Sequence, residues 1–174
     1  MSEPAVYLMR GLPACGKSYT ARTLAGTQGI VLETDEYFYL MVGNDPASYD
    51  YDKNLLSAAQ QWNFERFREA IRQRIAPIVV DRGNGLNKES QRYARYALEH
   101  GYRPILREPN SPWWQEIRAL LCDKQANKKQ LDEWARRLTE LSQKNHRVPI
   151  STIRRWIEAW NPELTIDAIL TYTN

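Results

Sequence analysis

Eight consecutive residues, Gly11-Leu12-Pro13-Ala14-Cys15-Gly16-Lys17-Ser18, set two glycines, a lysine and a hydroxyl at the spacing G-x-x-x-x-G-K-[ST]. Glycines at these points let backbone N–H groups turn inward onto an anion. A helix that follows adds the partial positive charge of its N-terminus, and Lys17 adds a full one. Ser18 offers a hydroxyl to a divalent cation that bridges two phosphates. The chemistry implied is capture of a nucleotide's phosphate chain with Mg2+, with residues 11 to 18 and the adjoining Tyr19 as contacts.

The nucleotide is narrowed by what surrounds this loop. Guanine specificity calls for Asn-Lys-x-Asp, and the nearest string, Asn127-Lys128-Lys129-Gln130, lacks the final carboxylate, so ATP is expected. Two further carboxylates stand where strands are expected to end. Asp35, in Glu33-Thr34-Asp35-Glu36-Tyr37, is placed to deprotonate an attacking hydroxyl, or to act only as a helix cap. Asp81, after Ile78-Val79-Val80, suits a carboxylate that supports the magnesium site, with Asn84 orienting it. Phosphoryl transfer also needs cations that follow the spreading charge, and Arg136, Arg137, Lys144 and Arg147 are candidates, each set against the plainer reading of a solvated helix face. His100 and His146 are read as a helix-end residue and a surface residue, with no metal-ligand spacing. Trp113 and Trp114 are read as packing residues in preference to base-stacking ones, as are Trp62, Trp134, Trp156 and Trp160.

These residues need elements to hold them. Ala5–Met9 is a short apolar run leading into the glycine turn, as a buried parallel strand would be, and 18–25 reads as the helix after it, stopped by Gly26. Strands are also expected at 29–32, 78–80 and 102–106. Helices are expected at 53–75, where Leu56, Phe64, Phe67, Ile71 and Ile75 share a face, and at 88–100, capped by Asn87. Residues 41–51, with Gly43, Asn44, Asp45 and Pro46, read as a mobile loop. Beyond Pro112 the chain reads as charged helices to 143 and another helix after Pro149, with 164–172 either strand or helix. The alternation predicts an α/β fold, a parallel sheet flanked by helices with ligands beyond the strands' carboxyl ends, and a basic helical lid over about 112–150 within one domain of 174 residues.

Bulk properties exclude some classes. The chain is 43% hydrophobic and 26% charged, with no apolar run near the ~20 residues of a membrane span. No secretory leader is visible at residues 1–10, and the two cysteines, Cys15 and Cys122, have neither zinc nor redox spacing, so a cytoplasmic setting with reduced thiols is expected. The net charge of +3 says little, but from Arg118 to Arg155 ten Lys and Arg face four Asp and Glu. The basic character is concentrated late.

Taken in order, the chain resembles the polynucleotide-kinase-like P-loop family of 5'-hydroxyl polynucleotide kinases and related, zeta-toxin-like ATP-binding kinases. The likeness rests on residues 10–18, Thr34-Asp35-Glu36-Tyr37-Phe38, Trp62-Asn63, Pro77 to Asp81, Asn84, Gly101-Tyr102, Glu108-Pro109 with Trp113-Trp114, Lys144-Asn145-His146 and Val148-Pro149-Ile150. It implies that Asp35 is the general base on a 5'-hydroxyl, that Lys17 and Ser18 serve ATP and magnesium, and that a basic lid contacts the phosphates. A single-stranded nucleic-acid 5' end is the implied acceptor, with Phe38, Arg82 and Asn84 on its side. Three departures stand out: Phe38 where phage-type members have an Arg, Arg82-Gly83 within the family's Asp-x-Thr-Asn, and Lys144 for a lid Arg. Kinases of small hydroxylated metabolites or nucleosides, and ATP-binding modules without turnover, are the alternative readings.

Overall fold

A computed structural model describes residues 2–41 and 53–174, with the side chains of residues 40 and 41 outside the description. Four strands, β1 (Ala5–Met9), β2 (Ile30–Leu32), β3 (Ile78–Asp81) and β4 (Arg103–Arg107), form one sheet in the order β2-β3-β1-β4. Every pairing is parallel. Parallel neighbours require crossovers, and helices α1 (Lys17–Ala25), α3 (Leu56–Arg72) and α4 (Lys88–Glu99) supply them. A short α2 (Glu36–Met41) follows β2.

Alternation along β1 divides the sheet's two faces. Val6 and Leu8 join Leu32, Ile78 and Val80 on the face covered by Phe67, Ala70 and Ile71 of α3 and by Tyr93, Ala94 and Ala97 of α4. Tyr7 and Met9 point the other way, with Val79, toward Ala21, Leu24 and Ala25 of α1. All four residues of β3 are buried, as expected of a strand covered on both faces.

The late part of the chain builds a separate apolar cluster. Helices α5 (Pro112–Leu121), α6 (Lys128–Ser142) and α7 (Ile150–Ala159) pack through Trp114, Ile117, Leu131, Trp134, Leu138 and Ile153. Leu12 and Cys15 of the glycine loop belong to that same cluster. A final α8 (Ile166–Leu170) returns to the sheet core through Ile169, and its last carbonyls accept hydrogen bonds from the Gln91 amide.

Several expectations shift. The helix expected over 53–75 is a 3-10 turn at Lys53–Leu55 followed by α3, which ends at Arg72. The ambiguous 164–172 segment is helical, with Thr165 capping Ala168 N. Trp156 is 42% exposed, because it faces away from the α7 residues Ile153 and Ile157 that fill the core. Of the loop expected over 41–51, Met41 ends α2 and the rest lies outside the described residues. No helix of the described residues is long and apolar enough to cross a membrane.

Candidate active site

Strand register explains why the site's carboxylates meet. In the β1–β3 ladder Met9 is level with Asp81, so the glycine loop leaves the sheet beside that carboxylate. In the β2–β3 ladder Leu32 is level with Val80, and the next residue, Glu33, therefore comes level with Asp81 across a strand spacing of about 5 Å. Glu33, Asp35 and Asp81 all lie at carboxyl ends of parallel strands, where an open α/β sheet gathers its ligands.

The loop itself is shaped by backbone. Ala14 and Gly16 both have positive φ, 60° and 91°, and a Cβ on Gly11 would stand 2.9 Å from Pro109 Cδ. Gly16 is the N-cap of α1 without any side-chain cap, which leaves the helix's first amides directed at whatever anion the loop encloses. Lys17 Nζ donates to Gly11 O and Leu12 O at 2.9 and 3.1 Å, so the ammonium lies folded back across the loop. Leu12 and Cys15 are buried, so these two positions can offer a ligand only their backbone. Burial pushes the Cys15 thiol up to about 12. Tyr19 is 67% exposed at the first turn of α1.

The segment 110–114 braces this loop from outside. Ser111 Oγ donates to Cys15 O at 2.8 Å while accepting from Trp114 N, Trp113 Nε1 donates to Ala14 O at 3.0 Å, and Thr20 Oγ1 donates to Asn110 Oδ1 at 3.2 Å. Trp114 is fully buried, with Nε1 on Glu108.

Asp81 is 4% exposed, and burial, opposed by Lys17 and by a hydrogen bond from Ser18, raises its pKa above the ordinary carboxylate range. Its Oδ2 is buried without a hydrogen-bond partner among the described residues. A buried carboxylate oxygen left unsatisfied beside a serine hydroxyl is the donor set that magnesium accepts. Ser18 and Asp81 fit that ion.

Facing them, Glu33 is raised to about 8, first by burial and then by the charges of Asp81, Asp35 and Glu36, with Lys17 opposing. His146, from the α6–α7 connection, sets Nε2 3.5 Å from Glu33 Oε1 and Nδ1 3.4 Å from Asp35 Oδ2. Its contact brings the whole connection, with the exposed Lys144 and Arg147, to the carboxyl end of β2.

Two residues expected on the acceptor side are placed otherwise. Phe38 is 1% exposed and packs with Ala59, Tyr37 and Leu55, because its position on α2 turns the ring toward α3. Asn84 is 2% exposed, and its Nδ2 donates to Met9 O at 2.8 Å and Val80 O at 3.1 Å, which ties β1 to β3 just under the site. Both hold the fold, and neither side chain is presented to a ligand. Arg82 is directed at Glu89, with Nη1 3.5 Å from Oε1, and its pKa is lowered by burial against the pull of Glu89. On α6, Arg136 is ion-paired with Asp132 and Arg137 lies 4.8 Å over the Trp134 ring.

A family model described as an AAA domain matches residues 6–162. The chain belongs to this P-loop kinase-like family. Over 110 residues it is 38% identical to NEDD4-binding protein 2 of Homo sapiens, a match that spans 62% of this chain but only 6% of that protein. Among solved structures it is similar to a chain of the Pnkp1/Rnl/Hen1 RNA repair complex, at TM-score 0.52 and 14% identity over 91% of this chain and 44% of that one. It is also similar to a candidate kinase from Chloroflexus aurantiacus, at TM-score 0.55 and 13% identity over 98% and 97% of the two chains. At such identities the likeness is one of fold, and the fold it supports is the parallel, helix-flanked sheet described above.

Sequence reasoning missed Glu33 and His146. Glu33 had a visible signal, since it follows Ile30-Val31-Leu32 as Asp81 follows Val79-Val80, and adjacent parallel strands bring such residues together. For His146 there was none, because nothing in local spacing ties the α6–α7 connection to the end of β2.

Proposed function

We propose that this protein transfers the γ-phosphate of ATP to the 5'-hydroxyl of a single-stranded nucleic acid. The observation that carries the reading is the convergence, at neighbouring strand ends, of a phosphate loop, a buried Ser18–Asp81 pair and a more exposed carboxylate, Asp35. In this reading the backbone N–H groups of residues 14–18 and the Lys17 ammonium hold the β and γ phosphates. Ser18 with Asp81 would hold magnesium, which would supply charge neutralisation to those phosphates. Asp35 accepts the proton of the attacking hydroxyl; its carboxylate is accessible to an acceptor, unlike that of Asp81. Lys144 and Arg147 are the cations assigned to the transferring phosphoryl group, since His146 anchors their connection beside Asp35, whereas Arg137 lies over the Trp134 ring.

Support for a nucleic-acid acceptor comes from the sequence echoes, from the basic stretch 118–155 and from the fold shared with a chain of an RNA repair complex. With Phe38 buried and Asn84 committed to the sheet, Arg82 is the remaining candidate for an acceptor phosphate, and it would have to share its guanidinium with Glu89. A cytoplasmic setting belongs to the same reading and agrees with two unpaired cysteines.

The test is label transfer from γ-labelled ATP to matched 5'-hydroxyl RNA and DNA oligonucleotides, with Asp35→Asn in parallel. Label on an oligonucleotide, absent with the variant, is the expected result. ATP binding without label on either polymer would overturn the acceptor assignment and direct attention to small hydroxylated acceptors.

A further inference from the structure

Beside the phosphate loop, Glu33, Asp35 and His146 bring three potential ligand atoms within 4.8 Å of one another. Two carboxylates come from the end of β2 and the imidazole from a connection more than a hundred residues later. Charge-assisted hydrogen bonds between such groups close to about 2.7–2.9 Å. The observed separations, 3.5 Å to Glu33 and 3.4 Å to Asp35, are too long for that. One oxygen of each carboxylate and one ring nitrogen nevertheless lie within 4.8 Å of one another, a spread that an ion with ligands roughly 2.1 Å away would draw in to a tetrahedral edge of roughly 3.4 Å.

We infer that Glu33, Asp35 and His146 form a binding site for a zinc-class divalent cation, distinct from the magnesium position at Ser18 and Asp81. His146 contributes one ring nitrogen to the ion; before the ion binds, Nε2 faces Glu33 and Nδ1 faces Asp35. One imidazole with two carboxylates selects zinc, or its spectroscopic substitute cobalt, over magnesium, which prefers an all-oxygen shell.

The site is assembled by the fold without the ion. Asn145 N and Arg147 N both donate to Ser142 O, at 2.9 and 2.8 Å, and Val148 N donates to the buried Ser142 Oγ at 3.1 Å. Arg147 takes φ 50° to close this turn, which leaves His146 at its apex with its ring 6.2 Å from that of Tyr39. Access is also present, since the three side chains are 21–34% exposed. The surrounding field favours a cation: Glu33 lies under the charges of Asp81, Asp35 and Glu36, with Lys17 as the opposing charge.

Occupancy would have two effects. It ties the α6–α7 connection to the end of β2, and it takes an oxygen of Asp35. The second effect rests on the phosphotransfer reading, under which zinc is an inhibitor that occupies the base.

The experiment is titration of the EDTA-treated, dialysed chain with Co2+ in excess Mg2+, followed by visible absorption. The expected result is one equivalent of cobalt with ligand-field bands of a nitrogen–oxygen site. Binding is weakened at least about 10-fold by Glu33→Gln and by His146→Gln separately, and retained by Asp81→Asn. Absence of the bands, unchanged affinity in either of the first two variants, or loss in Asp81→Asn would overturn the site. Zn2+ added to the labelled-ATP assay should lower transfer, with His146→Gln raising the Zn2+ concentration needed. A chain that transfers no label at all counts against the phosphotransfer reading, while the cobalt result decides the metal site on its own.

Discussion

The sheet half and the helical half of this molecule place functional groups by different means. At the sheet, Glu33 and Asp81 are positioned by ladder register, and Gly16 is held by a backbone conformation that a Cβ would strain. In the helical half, His146, Lys144 and Arg147 are carried on a turn whose position depends on packing of α5, α6 and α7 around Trp114, Trp134 and Ile153. Backbone order fixes the first set almost regardless of the surroundings. The second set is only as well placed as its apolar core.

The sharpest separation of the two halves is kinetic. Lys17→Ala should lower both ATP affinity and turnover, the latter by about 10²–10³-fold, since it removes the full positive charge of the phosphate loop. Asp35→Asn should lower turnover by about 10²–10⁴-fold with ATP affinity retained. Both are read by single-turnover label transfer beside equilibrium ATP binding. If Asp35→Asn weakened ATP binding as much as Lys17→Ala does, the division between cradle and base would fail.

Next in size is the helical core. Trp114→Ala removes a fully buried indole that meets Trp160 edge-on with ring centres 5.1 Å apart, and should cost about 3–5 kcal/mol in urea unfolding. ATP affinity should fall with it, because Ser111 and Trp113 brace the loop from the same helix end. Retained ATP affinity in a destabilised Trp114→Ala protein would show that the loop stands without its brace.

A comparable effect concerns Glu33. Its folded-state pKa of about 8 lies above the 4.5 of an ordinary glutamate, so the folded chain holds a proton that the unfolded chain has released between those two values. This group's contribution is therefore fully present below pH 4.5 and is lost as pH rises through 8, a change on the order of 5 kcal/mol. In metal-free protein, Glu33→Gln should gain stability relative to the parent from pH 5 to pH 8, and parallel melting curves across that range would contradict the assignment. Smallest of all, Arg136→Ala breaks an exposed i,i+4 pair with Asp132 and should leave the urea unfolding midpoint nearly unchanged.

The same contrast accounts for what the sequence disclosed. Gly11 to Ser18, Asp81 and the β–α alternation are local patterns, and local patterns determine strands, turns and helix starts. Phe38 misled because a helix's facing cannot be read from six residues, Glu36–Met41, and its ring turned toward Ala59. Asn84 was read as reaching outward, yet a buried amide beside two strand-end carbonyls is needed where those backbone groups would otherwise be unsatisfied. His146 meets Glu33 and Asp35 only through the tertiary packing of α6 and α7, which no spacing rule describes.

Leu12 and Cys15 contribute their side chains to the core of α5, α6 and α7 while their backbone lines the phosphate loop. The two halves thus share a wall, and anything that quiets one side of it is felt on the other. Nucleotide capture should slow amide hydrogen exchange not only in the loop but also along Leu131, Ala135 and Leu138 of α6, whose side chains never approach a phosphate.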